Sequence, residues 1–328
     1  MEKRAAFKLF LALILVLSFQ KLRSQDNSET RPEIFTLAAA GQSPAVRQLE
    51  LAWRNLVHRR PHLADSIAAE VLEDALNSND PNEKAYALLY RAPRPKHTTN
   101  FQESIYFLQS ALYVVENKNV DPNIRLLAYR QYGDLLRVLE LNDIAIGYYH
   151  KALSILKKSD INYSRYWSDA YHSLSKSYDG LNHSDSTIFY RKKTLATRTE
   201  SENRLLFSSA HNNLGLAYEK YDYPDSALLY YRKSLAILQD YNIGDSLFLQ
   251  SVYDNIGSVF MKLGQVDSAK KHYTINLALA QSQSNTFRVT QTRLELAAIA
   301  LLKKEFKQAK QLLINAERDL LNVPLEHK

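Results

Sequence analysis

The chain contains no cysteine among its 328 residues. This absence excludes disulfide bonds, thiolate metal sites and thiol catalysis, and it also excludes a lipid-modified cysteine at an exported N-terminus. Glycine is scarce, with 8 residues, and no glycine-rich motif for cradling phosphate groups is present. The hydrolase motifs H-E-x-x-H and G-x-S-x-G are absent as well. We therefore predict a protein that is not an enzyme and that uses no cofactor.

Metal ligation has little support in the sequence. His58 and His62 are four residues apart, which is a spacing that helical metal sites use. Pro61 lies between them and is expected to end the helix, so the two side chains need not share a face. We interpret the pair as exposed histidines in a turn and predict no metal site.

Long apolar runs are also lacking, except at the N-terminus. Leu9 to Phe19 is apolar apart from the small Ser18, and it follows a basic start. This run is too short for the roughly 20 residues of a spanning helix, but it is typical of a signal-peptide core. We predict a signal peptide over residues 1–24 and export of the protein, to the periplasm in a Gram-negative cell. The alternatives are an uncleaved anchor and a fortuitous apolar start.

Export changes the meaning of the chain's basic character. The predicted signal peptide carries five basic residues and one acidic residue, so the net charge of +7 falls to +3 on cleavage. The pI of about 9.2 is therefore partly a property of the signal peptide and is poor evidence for binding nucleic acid. The basic stretch Arg191-Lys192-Lys193 is interpreted as a solvated helix face. We expect no nucleic-acid partner and no stable membrane span after cleavage.

What the sequence does contain is a repeat of about 41 residues. Small residues recur at steps of 42, 40, 42 and 40, at Ala145, Thr187, Ala227, Ala269 and Ala309. A second series of small residues lies about twelve positions earlier, at Gly133, Ser175, Gly215, Gly257 and Ala297. Small residues let two antiparallel helices approach closely, and aromatic residues one turn away fill the gaps. The repeat therefore predicts a stack of helical hairpins rather than one globular core.

The turns and caps of this repeat follow from residue type. Asp185, Asp225 and Asp267 are expected to cap the second helix of a hairpin, and Gly264 fits the tight turn before it. Asp80 and Asp121 each precede a proline, which is a pattern typical of a helix start. The predicted helix pairs are 44–59 with 62–78, 82–92 with 101–118, 122–139 with 143–158, 162–180 with 185–199, 202–221 with 225–241, 245–263 with 266–283, and 286–302 with 305–321.

Two copies of the repeat carry a family motif. One copy has Leu214-Gly215 and Tyr218, followed by Ala227 and Tyr231. The other has Ile256-Gly257 and Phe260, followed by Ala269 and Tyr273. These residues resemble the tetratricopeptide repeat family, whose pattern is W-x2-L-G-x2-Y, then A-x3-F, then P. The Trp and Pro of this pattern are missing here. The longer period is similar to that of the branch that includes kinesin light chain and peptide-sensing bacterial regulators, and the chain also resembles secreted Bacteroidetes proteins.

The resemblance implies an all-α fold, a right-handed superhelical solenoid of about 6–7 antiparallel helix hairpins. We predict a signal peptide at 1–24, a flexible tether at 25–43, degenerate helical repeats at 44–119, the repeat array at 120–322 and a tail at 323–328. A broad apolar stripe on the last helix, 305–321, is expected either to cap the array or to support self-association.

The resemblance also implies where a ligand binds. In this family the first helix of each pair lines a concave groove, and several of its residues per repeat point into that groove. The matching positions here are Asn213, Asn255, Asn212, Arg130, Arg137, His172, Lys176 and Asp254, together with Asp134, Asp169, Glu219 and Lys262. Asn213 and Asn255 are expected to hydrogen-bond a peptide backbone, because an amide offers both a donor and an acceptor. The alternative is that each asparagine bonds only a neighbouring helix.

Two hypotheses for the function remain open. The first is an exported, non-catalytic module that binds a peptide or a partner helix in the groove. The second is a detached sensory subunit that docks on a membrane-bound kinase or transcription regulator. Four Asp-Ser-aliphatic triplets, two of them at Asp225 and Asp267, resemble O-glycosylation acceptors of secreted Bacteroidetes proteins, with helix capping as the alternative reading.

Overall fold

The computed structural model describes residues 73–92, 101–158, 164–199, 203–240 and 246–321. All of these belong to one compact unit, Gly41–Lys328. Several sequence predictions lie outside the described residues. They are the signal peptide, the tether, most of the first predicted helix pair with His58 and His62, and the C-terminal tail.

The described part of the chain is helical, with twelve helices after a short helical segment at 73–77. The helices are α1 Pro81–Arg91, α2 Phe101–Asn117, α3 Pro122–Val138, α4 Asn142–Lys158, α5 Ser164–Gly180, α6 Ser184–Ala196, α7 Arg204–Lys220, α8 Pro224–Asp240, α9 Ser246–Lys262, α10 Val266–Ser282, α11 Thr286–Leu302 and α12 Phe306–Leu321. Consecutive helices pair into six antiparallel hairpins. The predicted all-α solenoid is confirmed, and most helix ends fall within two residues of the predicted ones.

The last five hairpins, α3–α4 to α11–α12, repeat the same geometry. Their first helices all have the same length, and each second helix begins at the same offset along the chain from the start of its first helix. The starts of successive first helices are separated by the same alternating steps as the small residues in the sequence. Because the insertions fall between hairpins, every hairpin can pack in the same way.

The turn inside each of these five hairpins has one residue in the left-handed conformation, with φ between 57° and 70°. These residues are Glu140, Asn182, Asp222, Gly264 and Lys304. In every turn the next N–H donates to the carbonyl five residues earlier, at 2.8–2.9 Å. This is the hydrogen bond of a Schellman motif, which satisfies a carbonyl at the end of the first helix. The predicted role of Gly264 is confirmed.

The predicted caps are correct at two sites and wrong at others. Asp80 and Asp121 cap α1 and α3 by accepting hydrogen bonds from the second following N–H, at 2.8 and 2.7 Å. Asp185, Asp225 and Asp267 instead lie inside the first helical turn, and the cap residues before α6 and α10 make no side-chain hydrogen bond. A carboxylate in the first turn still interacts favourably with the positive end of the helix dipole.

Close packing within the hairpins rests on glycine opposite tyrosine. A Cβ atom added to Gly133, Gly215 or Gly257 would lie 2.6–2.7 Å from the ring of Tyr149, Tyr231 or Tyr273 respectively. All three tyrosine side chains are almost completely buried. In these three hairpins the glycine of the first helix therefore makes the space that the tyrosine ring of the second helix fills.

The α5–α6 hairpin departs from this rule and corrects one prediction. Ser175 replaces the glycine, and Arg191 stands where these three hairpins have tyrosine. Lys192 and Lys193 are exposed, as expected of a solvated face, but Arg191 is half-buried and its Nε is fully buried. Burial lowers the pKa of the Arg191 guanidinium, and the carboxylate of Asp179 partly offsets this effect. The basic stretch is therefore only in part a solvated face.

Hairpins stack in a regular order. Each second helix packs against the first helix of the next hairpin, and first helices of successive hairpins also contact each other at α1–α3, α3–α5 and α7–α9. Among the described helices, the second helices make no comparable contacts with one another. We call the groove positions on these first helices, from Arg130 on α3 to Asn255 on α9, the first-helix face.

Candidate binding face

All twelve predicted groove residues lie on first helices. Arg130 and Arg137 are on α3, His172 and Lys176 on α5, Asn212 and Asn213 on α7, and Asp254 and Asn255 on α9. Of these eight, Asn212 is buried, and the other seven are partly exposed. His172 and Lys176 lie one turn apart, and each interacts with a neighbour.

Neighbouring first helices are joined by hydrogen bonds across this face. Arg130 on α3 donates to Asp169 on α5 at 2.9 Å. The amide of Asn255 on α9 donates to the side-chain oxygen of Asn212 on α7 at 3.0 Å. Asn213 makes only a long contact, 3.5 Å, to Ser209 on its own helix. Asn255 thus bonds a neighbouring helix, as the alternative reading expected, and the Asn213 amide is left with a weak partner.

Carboxylates on the face also hold the buried tyrosines. The Tyr149 hydroxyl donates to Asp134 at 2.8 Å, beside Arg137, and the Tyr231 hydroxyl donates to Glu219 at 2.7 Å. Burial, followed by the nearby carboxylate, raises the pKa of both hydroxyls well above the usual value. These hydroxyls therefore remain protonated donors at any physiological pH.

Glu219 is the most heavily engaged acid of the face. Besides Tyr231, it accepts a hydrogen bond from Ser258 of the next first helix at 2.9 Å. Lys262 adds an ion pair at 3.2 Å from the same helix. This carboxylate therefore links two consecutive hairpins and has little capacity left for a ligand.

Two further residues complete the face at its C-terminal end, and the sequence reasoning missed both. Glu295 on α11 is half-buried and continues the series of Asn213 and Asn255 at the steps of the repeat. Tyr273 on α10 is buried, and its hydroxyl lies near Glu295, Asp254 and Glu219. The repeat steps were the signal that could have identified Glu295.

The carboxyl groups at this end hold their protons unusually strongly. Burial, reinforced by the charge of Asp254, raises the pKa of Glu295 to about 7. Burial also raises the pKa of Asp254 to about 6, although the guanidinium of Arg288 lies 3.9 Å away and opposes the shift. Both acids therefore change charge near neutral pH.

Metal binding and membrane insertion find no support in the described residues. They contain no group of three or more His, Cys, Asp or Glu side chains placed to hold a metal ion. None of the helices there combines the length and the apolar character that crossing a bilayer requires.

Solved structures share the fold, whereas no protein-family model and no curated protein sequence matches the chain. The apo form of RapI has a TM-score of 0.73 and 15% identity, over 84% of this chain and 76% of RapI. A Rap protein in complex with Competence and Sporulation Factor has a TM-score of 0.55 and 13% identity, over 86% of this chain and 89% of that one.

A signal-transduction ATPase from Pyrococcus horikoshii with a tetratricopeptide repeat sensor is also similar. Its TM-score is 0.67 at 16% identity, over 83% of this chain and 41% of the ATPase. At such low identities the likeness shows the fold alone. The fold is a helical solenoid of the tetratricopeptide-repeat type.

Proposed function

We propose that the first-helix face binds an extended peptide or a helix of a protein partner, and that the chain has no catalytic role. The observation that carries the proposal is the row of polar side chains at matching helix positions, which are Asn213, Asn255 and Glu295. A peptide backbone offers donors and acceptors at regular intervals, and the amides can pair with both.

The comparisons lend coarse support to this proposal. One similar structure is a Rap protein complexed with a factor. The similarity is in fold only, so it supports a binding role at the level of architecture without identifying the ligand.

A peptide-binding experiment tests the proposal. Immobilised protein would be panned against a library of random end-blocked octapeptides, and the affinity of selected peptides would be measured in solution. Replacing Asn213 and Asn255 together by alanine should weaken binding about tenfold, because each lost amide leaves peptide groups unpaired. The melting temperature should change little, since only one inter-helix hydrogen bond is lost.

The matched control is Asn117→Ala, which removes an exposed amide at the end of α2 that bonds its own helix. This variant should bind selected peptides as the wild type does. Unchanged affinity of the Asn213→Ala/Asn255→Ala variant would remove the first-helix face as the binding site.

We further propose that the protein is exported. The support is the sequence pattern of residues 1–24. Fractionation of the native cells with antibody detection should find the protein in the envelope or medium, shortened by the signal peptide. Full-length protein in the cytosolic fraction would contradict export.

A sensory role is the second candidate, and one comparison favours it. The ATPase from Pyrococcus horikoshii carries its tetratricopeptide repeats as a sensor. A detached sensor would co-purify with a membrane-bound kinase or regulator after crosslinking in intact cells. Recovery of the protein without any membrane partner favours the simple binding module.

A further inference from the structure

The tyrosine hydroxyl of the α9–α10 hairpin lacks the acceptor that its counterparts have. Tyr149 and Tyr231 each donate to a carboxylate on their own first helix. Tyr273 is equally buried, at 2% exposed, yet its hydroxyl has no hydrogen-bond partner among the described residues. Its oxygen is not among the fully buried polar atoms, and the carboxylates of Glu295, Asp254 and Glu219 are the charges that act on it.

The sequence explains the missing partner. The acceptor of Tyr149 is Asp134, 15 residues earlier in the chain, and the acceptor of Tyr231 is Glu219, 12 residues earlier. The same two spacings, counted back from Tyr273, lead to Ser258 and Met261. Ser258 donates instead to Glu219, and a thioether is a poor acceptor. The hydroxyl of Tyr273 is thus left for another group.

The charged groups around this hydroxyl do not balance. Glu219 is already engaged with Tyr231, Ser258 and Lys262. Asp254 has Arg288 at 3.9 Å, a distance beyond a hydrogen bond, and the guanidinium bonds Ser251 at 2.9 Å. Glu295 has no hydrogen bond or ion pair among the described residues. One carboxylate therefore stands without a cation.

We propose that Glu295, Asp254 and the Tyr273 hydroxyl form a subsite for a cationic group, an ammonium or a guanidinium, of the bound peptide. This subsite rests on the proposed function of the first-helix face. A cation supplies several N–H donors, and the two carboxylates and the tyrosine oxygen are acceptors for them. An occupied subsite would neutralise the unbalanced charge and would give the lone pairs of the Tyr273 oxygen a donor.

Binding to this subsite should depend on pH. Without a cation, Glu295 and Asp254 have raised pKa values of about 7 and about 6, so each is partly protonated near neutrality. A bound cation favours the ionised carboxylates, so binding releases protons and becomes tighter as the pH rises from 6 to 8. A site that recognised only a neutral group would not show this dependence.

The first experiment uses a fragment rather than a peptide. Butylguanidinium would be titrated into carbon-13-labelled protein while NMR follows the side-chain carboxyl carbon of Glu295, and butylurea would serve as its neutral isostere. We expect saturable binding of butylguanidinium, with a dissociation constant of the order of 1 mM for so small a ligand. Butylurea should bind at least about tenfold more weakly, because it lacks the charge.

Variants assign the effect to the subsite. Glu295→Gln keeps the shape and removes the charge, and it should weaken butylguanidinium binding about tenfold or more. Tyr273→Phe should weaken it less, because only one hydrogen bond is lost. Glu317→Gln, an exposed position on α12, should leave binding unchanged. Equal binding of the two fragments, or of wild type and Glu295→Gln, would overturn the proposal.

A second experiment separates this subsite from the proposed function. Selected octapeptides that contain arginine would be compared with copies in which citrulline replaces it. Peptide binding without any preference for arginine, and without fragment binding, disproves the subsite but leaves the binding face. Fragment binding with no peptide selected supports the subsite and contradicts peptide binding.

Discussion

Single glycine and tyrosine residues determine how closely the helices of a hairpin approach. The rings of Tyr149, Tyr231 and Tyr273 fill the space that a Cβ atom on the facing glycine would take. A buried aromatic ring makes many weak contacts, so a gap or a clash of a few tenths of an ångström is costly. The repeat therefore uses a matched pair in these three hairpins rather than either residue alone.

Gly257→Ala should destabilise the protein by about 1 to 3 kcal/mol, since the added methyl group would lie 2.7 Å from the Tyr273 ring. Gly147→Ala is the matched control. Gly147 is exposed in the interior of α4, and an added Cβ there meets nothing within 4 Å. This variant should be up to about 1 kcal/mol more stable, because alanine favours helices over glycine. Urea unfolding measures both effects, and equal effects would refute the packing argument.

Residue type alone could not identify every interior position. The sequence predicted the small residues that face the tyrosines, because they recur at fixed steps. It did not predict that Arg191 is half-buried, because a run of three basic residues is typical of an exposed face. Glu295 was missed for a related reason, since a glutamate in a helix is usually solvated.

Hairpin turns are the element that all five repeats share, although their sequences differ. The left-handed position holds glycine only in the α9–α10 turn, and Glu140, Asn182, Asp222 and Lys304 occupy it elsewhere. The sequence therefore predicted one turn from residue chemistry and the other four only from the repeat. The Schellman hydrogen bond is made by the backbone and can form with any of these residues.

Glu140→Gly should stabilise the protein by about 1 kcal/mol or somewhat less, because a side chain in the left-handed region costs about 1 to 2 kcal/mol. Glycine also gives the unfolded chain more conformational entropy, and this cancels part of the stabilisation. Thermal unfolding monitored by circular dichroism should show a higher melting temperature. Gly264→Ala, at φ 70°, is the reverse change and should lower it. A lower melting temperature for Glu140→Gly would contradict the strain.

Helix ends and helix pairing were predictable because the repeat is strongly periodic. The asparagine, arginine and aspartate positions of the first-helix face followed from the resemblance, and the structure places all of them on first helices. Their partners were not predictable. The bonds from Arg130 to Asp169 and from Asn255 to Asn212 depend on how far one hairpin rotates against the next, which no single repeat encodes.

On the scale of the whole molecule, the surface of α11–α12, the last described hairpin, bears on self-association. Large apolar side chains are exposed on the last hairpin, among them Leu302 at 63%, Phe306 at 66% and Leu321 at 70%. In a repeat array the terminal unit usually has a polar outer face. Self-association through the C-terminal repeat stays a prediction, and these exposed side chains are its basis.

Sedimentation velocity at increasing protein concentration tests self-association. We expect the sedimentation coefficient to rise with concentration, because two such surfaces can cover each other. Phe306→Glu should suppress the rise, since burying its charge in the contact is costly. Tyr113→Glu, at an equally exposed aromatic residue on α2, is the control and should leave it unchanged. A monomer at all concentrations would contradict self-association through this hairpin.

The stability of the whole array should fall as the pH rises towards 8. Glu295 and Asp254 have folded-state pKa values of about 7 and about 6, above those of exposed carboxyl groups in an unfolded chain. Between these limits the folded state binds more protons than the unfolded state. The free energy of unfolding is therefore greatest below the unfolded pKa and is lost as the pH rises through the folded values. Urea unfolding should show a loss of about 4 kcal/mol between pH 5 and pH 8, the larger part of it from Glu295.

Glu295→Gln tests the origin of this loss, because it removes the group with the higher pKa. The variant should be more stable than the wild type at pH 8, and its stability should depend less on pH. The difference should shrink to about 1 kcal/mol at pH 5, where Glu295 is protonated in the folded state but largely ionised in the unfolded chain, and should vanish below about pH 4. If the two proteins instead show the same slope from pH 5 to 8, the carboxyl cluster does not control the pH dependence. Butylguanidinium should reduce the difference at pH 8, because a bound cation stabilises the ionised carboxylates of the wild type.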